Sequence, residues 1–138
     1  MSHPFPPTEY FYWSYHADEL MTRLLSSPNR HTRRLYASDL ESFRLWLISR
    51  YRPAESPALM LAILFYGGRQ EVQTLVEGYR DHLIQIGKRR ATVNRHMCTL
   101  RAVARLAHSM GRINWDLSGL RNLTRDNFFK IQIELRVA

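Results

Sequence analysis

Apolar residues in this chain recur at intervals of three and four, and the runs are separated by prolines and glycines. Tyr36, Leu40, Phe43 and Leu47 draw one stripe down a helix. That helix starts at Ser27-Pro28, a capping residue followed by proline at the first helical position, and ends before Pro53. Arg33 and Arg44 lie off the stripe. Ser56-Pro57 repeats the start signal ahead of Ala58 to Tyr66, which is apolar all round and predicts a short buried helix stopped by Gly67-Gly68. A further helix runs from about Gln70, with Val72, Leu75, Val76, Tyr79, Leu83 and Ile86 facing inward and Gly87 ending it. Its outer face carries Glu71, Glu77 and Asp81, a poor surface for a polyanion.

The last long helix is predicted from about Ala91 to Met110, with Val93, Met97, Leu100, Ala104 and Ala107 inside and Gly111 as its stop. At about 100° per residue, Asn94, Arg101, Arg105, His108 and Arg112 gather on one flank as a basic ridge. Beyond it, Trp115, Leu117, Leu120 and Leu123 are expected to cap the bundle as a short helix. Alternation that would suit a strand occurs only at Phe129 to Val137. The fold class is therefore all-α, with four to five helices. Residues 1–26 read as an aromatic arm holding a helical turn or two (Phe5, Tyr10, Phe11, Tyr12, Trp13, Tyr15), residues 27–123 as the helical domain, and 124–138 as a tail.

With 138 residues, 45% hydrophobic and 23% charged, the composition is that of one globular domain. The net charge of +8 is unevenly spread. Six arginines face two carboxylates between residues 29 and 52, and seven cations face none between 88 and 112. Arg30, His31, Arg33 and Arg34 open one helix, and Lys88, Arg89 and Arg90 precede another. A helix N-terminus already carries about half a positive charge, so cations there are unfavourable unless an anion joins them, and phosphate is the natural one.

Candidate catalytic chemistry is sparse. No CxxC, HExxH, Walker-type glycine loop or GxSxG is present, and the six histidines lack ligand spacing, so no metal and no organic cofactor is expected. The one cysteine, Cys98, permits no internal disulfide, reads as a buried small hydrophobe and suits a cytoplasmic protein. Met1 to Thr8 lacks a secretory apolar core, and the nine residues of Ala58 to Tyr66 are too short to span a bilayer of about 30 Å, so no membrane partner is expected.

The informative run is Lys88-Arg89-Arg90-Ala91-Thr92-Val93-Asn94-Arg95. A tight glycine turn feeds a helix whose Thr92 is placed to cap or to touch phosphate. Asn94 is placed to reach a base edge, since asparagine pairs with adenine and arginine with guanine in the major groove. Together with Thr32 to Leu47 and Gly78-Tyr79-Arg80-Asp81-His82-Leu83, the stretch Arg90 to Val103, which opens "T-x-N-R-x-x-x-x-L-R", resembles the core-binding domain of tyrosine recombinases, the phage-integrase-like enzymes. The resemblance spans Ser27 to Leu123. It implies a SAM-like helical fold that clamps double-stranded DNA beside other recombinase protomers, in a bacterial cytoplasm and on the nucleoid when bound. It implies no small-molecule substrate and no catalytic residue here, because the tyrosine nucleophile of that family sits in a separate C-terminal domain. His31-Thr32-Arg33-Arg34 spells that domain's His-x-x-Arg by coincidence, and Asn114 is followed by Trp115 where many members have proline.

On this reading Arg33, Arg34, Lys88, Arg89, Arg90 and Thr92 hold phosphates, while Asn94, Arg95 and Arg101 probe the major groove. Replacing Arg90 or Arg95 by alanine is then expected to weaken binding without loss of stability. The alternatives are a helical protein-interaction module, docking through Ala58 to Tyr66 or the aromatic arm, and a small helix-turn-helix regulator with Gly87 to Arg90 as its turn.

Overall fold

The computed structural model describes residues 7–50 and 54–137, with side chains from 16 onward and that of Tyr66 excepted. Six helices appear in order among them and no strand: α1 (Pro7–Leu24), α2 (Arg30–Ser49), α3 (Pro57–Tyr66), α4 (Arg69–Gln85), α5 (Arg90–Ser109) and α6 (Arg125–Val137). The all-α class is as the spacing predicts, and the two additional helices come from the arm and the tail.

The arm is a helix because proline is tolerated at its first position and Ala17, Leu20 and Leu24 repeat at three and four. That stripe is buried, and α1 lies chiefly along α3. Phe5 lies outside the described residues, as do the side chains of Tyr10, Phe11, Tyr12, Trp13 and Tyr15. The tail is a helix for the same reason. Phe128, Ile131 and Leu135, not every second residue, pack against the core, and Thr124 caps the start, its Oγ1 accepting from the Asn127 N–H at 3.1 Å.

Helix α2 begins two residues later than Ser27-Pro28 implies. Asn29 is the cap, its Oδ1 accepting from His31 N–H at 2.9 Å and Thr32 N–H at 3.2 Å. Asparagine caps as well as serine does, and here it satisfies two of the free N–H groups. The start of α3 is as read, with Ser56 Oγ accepting from Leu59 N–H and Pro57 in the first turn. Met60, Leu61, Ala62, Leu64 and Phe65 are all buried, so this segment is chiefly core, with Ala58, Leu59 and Ile63 half-buried.

Helices α4 and α5 form a hairpin. Gly87 adopts φ +90°, a value side-chain-bearing residues avoid, which lets Lys88 N–H reach Leu83 O and Gly87 N–H reach Ile84 O. Gly111, at φ +74°, ends α5 with the same pair of bonds. Ile86 caps α4 and is 54% exposed rather than inward, because the helical rotation stops at Gln85 and Ile84 fills the core instead. The central packing is aromatic: Phe43 meets Tyr79 edge-on at 5.0 Å, and Trp46 lies 5.2 Å from Tyr79.

Residues 113–124 do cap the bundle, with Leu117, Leu120 and Leu123 buried, but as an irregular strap and not as a helix. Asp116 accepts from Ser118 N–H at 3.0 Å, a side-chain turn that competes with helix formation. The Ser118 hydroxyl first and its N–H second, with His108 and Arg105 nearby, hold the Asp116 carboxyl below the usual range.

Candidate nucleic-acid interface

The two basic groups flank a common point. Arg34 stands five residues before Asp39 on α2, and Arg90 five before Arg95 on α5, and Asp39 and Arg95 are bonded to each other at 2.8 Å. Each group is thus about one and a half helical turns from that pair.

Arg30, His31 and Arg34 are exposed at the start of α2, while Arg33 is half-buried with Nη1 donating to Ser27 O at 2.5 Å. Lys88, Arg89 and Arg90 are exposed at the α4–α5 turn, and Arg90 Nη1 also lies 3.4 Å from Leu123 O. Among the described residues, no carboxylate pairs with Arg30, Arg33, Arg34, Lys88, Arg89 or Arg90. Thr92 is half-buried and does not cap α5. The cap position is Arg89, with no side-chain bond to the free N–H groups. The start of α5 therefore presents backbone donors beside three cations, an arrangement that favours an anion.

The three residues expected to read bases are engaged inside the protein. Asn94 donates through Nδ2 to Leu123 O at 3.1 Å and accepts from Leu123 N–H at 2.8 Å, so its amide holds the strap and not a base. Arg101 donates to Leu120 O and to Asn122 Oδ1, both at 2.6 Å. Arg95 is partly exposed and donates to the buried Asp39. The basic ridge is the seat of the chain's own strap, because three leucines pull residues 117–123 onto α5 and their carbonyls require donors. Further along it, Arg112 pairs with Glu19 of α1 at 3.5 Å.

Asp39 centres a buried polar network that apolar periodicity does not reveal. It accepts from Thr99 Oγ1 at 2.7 Å as well as from Arg95. Arg95 Nη2 lies 3.3 Å from His96 Nε2, and a guanidinium only donates, so the imidazole proton sits on Nδ1, facing Tyr79 Oη at 3.4 Å and Asp39 Oδ1 at 3.6 Å. Burial lowers the pKa of His96 most, opposed by Asp39 and reinforced by Arg95 and Lys88. Burial likewise raises the Tyr79 phenol. The signal available in the sequence was the pair Asp39 and Thr99 on otherwise apolar faces.

Cys98 is exposed, contrary to the buried role read from its residue type. Position 98 lies beside Met97 but one residue off the inner stripe, so it turns outward. Among the described residues no group of His, Cys, Asp and Glu is placed to hold a metal ion, and no helix is long and apolar enough to cross a membrane. The sequence reading missed Arg136, which lines a depression shared with Gly87. A tail read without structure carried no signal for it. Comparison with protein-family models, curated proteins and solved structures finds no match to this chain.

Proposed function

We propose that this chain binds double-stranded DNA through its phosphate backbone, as a core-binding domain of a tyrosine recombinase does. One observation carries the reading: Arg30, Arg34, Lys88, Arg89 and Arg90 lack a carboxylate partner among the described residues, whereas Arg95, Arg101 and Arg112 are all engaged within the fold. Phosphate contacts fix register without reading sequence. With Asn94, Arg95 and Arg101 engaged elsewhere, the surface has few groups left for base edges, so binding of this domain alone is expected to be nearly indifferent to sequence. No step of strand cleavage is assigned to any residue here.

The test is fluorescence anisotropy on two unrelated duplexes of about 25 base pairs across a salt series. Five phosphate contacts predict a slope of log affinity against log salt of about −4.5 or steeper, alike for both duplexes. A protein-interaction module is the second reading, favoured by the exposed Phe129, Ile133 and Val137 on one face of α6. Light scattering separates the two, since that reading predicts association of the protein irrespective of duplex.

A further inference from the structure

We infer that α6 belongs to the DNA-binding surface and that Arg136 is one of its phosphate contacts, a claim that rests on the function proposed above. Helix α6 is firmly placed. Its approach is fixed by the two-bond grip of Asn94 on Leu123, and its inner face by Phe128, Ile131 and Leu135. Its end lies against the α4–α5 turn, where Gln132, Leu135 and Arg136 line a depression of about 160 Å³ with Ile84, Gln85 and Gly87.

Gly87 immediately precedes Lys88, so Arg136 is brought to the turn that carries three cations from more than forty residues away in sequence. Arg136 thus adds a cation to the end of the α4–α5 hairpin that already carries Lys88, Arg89 and Arg90. Arg136 is exposed and has no carboxylate partner among the described residues. The residues one turn before it are Gln132 and Ile133, so its helix supplies none either. A favourable interaction with the negative end of α6 accounts for a cation in the last turn. It does not account for the contact with the turn, and the two roles separate by experiment.

The experiment measures the salt dependence of duplex binding for the full chain, Arg136→Gln and Arg69→Gln. Arg69 is exposed at the other end of α4, sixteen residues or about 24 Å from Gln85, and carries the same charge change away from the turn. Arg136→Gln is expected to make the slope shallower by about one and weaken binding several-fold, with Arg69→Gln matching the parent slope and both variants melting like it. An Arg136→Gln slope equal to that of Arg69→Gln overturns the role of Arg136 alone. A parent protein without salt-dependent duplex binding overturns this inference and the proposed function together.

Discussion

The side-chain amide of Asn94 pairs with the backbone of Leu123 in both directions, Nδ2 donating to the carbonyl and Oδ1 accepting from the N–H. It thereby does for the strap what a neighbouring strand would do, satisfying both backbone groups of the buried Leu123. Removing one partner leaves such groups unpaired at a cost of about 1–3 kcal/mol. Asn94→Ala is therefore expected to lower unfolding stability by about that amount in urea titrations. The salt slope of duplex binding should stay unchanged, whereas a base-reading asparagine would alter affinity with little change in stability.

Asp39 and Arg95 are unequal partners, their side chains being 1% and 41% exposed. Arg95→Met strands a buried carboxylate with Thr99 as its remaining close donor, and a cost of about 3–5 kcal/mol is expected. Asp39→Asn keeps an acceptor for Thr99 and lets the guanidinium turn to water, for about 1–2 kcal/mol. Chemical denaturation of the two variants checks the order, and a milder effect of Arg95→Met would contradict it. Arg95 is exposed as the sequence predicts, but its bond to Asp39 means that its loss is not expected to spare stability.

His96 gives the fold a pH dependence of known sign. Its folded-state pKa lies below the ordinary 6.5, first because of burial, so the unfolded chain takes up the proton first as pH falls. Its contribution is fully present above about pH 6.5, declines as pH drops below that, and levels off once the folded form is protonated too. His82, lowered by burial and by Arg50, acts in the same direction. The urea midpoint is expected to fall between about pH 7.5 and pH 5.5, and His96→Gln to flatten the fall. An unchanged pH profile in that variant would remove His96 from the account.

Cys98 faces solvent on α5. A thiol-reactive dye is expected to label one group per chain in native buffer, at a rate near that after unfolding. Labelling that requires denaturant would restore the buried position inferred from residue type alone.

The sequence was most legible where local rules act alone. Ser56-Pro57 and the glycines at 87 and 111 marked helix ends correctly, because capping and positive φ depend on few neighbours. The inner stripe from Val93 to Ala107 is buried as spaced. Helix α6 was obscured by Phe129, Ile131, Ile133, Leu135 and Val137, which alternate at every second position while the packing follows Phe128, Ile131 and Leu135. The candidate site was legible only in part. Charge density located the exposed cations at 88–90, yet nothing local in Asn94, Arg95 or Arg101 reveals that Leu123, Asp39 and Leu120 claim them from 29, 56 and 19 residues away. Those are tertiary facts, as is the approach of Arg136 to Gly87.

The central claim is that the cations at the start of α2 and at the α4–α5 turn grip a phosphate backbone. The most direct measurement compares duplex binding over a salt series for the full chain and for Lys88→Gln/Arg89→Gln, two exposed positions without a described partner. The account predicts a parent slope of about −4.5 or steeper, shallower by about two in the double variant, with equal melting temperatures. A parent slope near zero, or a double variant that binds like the parent at every salt concentration, would contradict it.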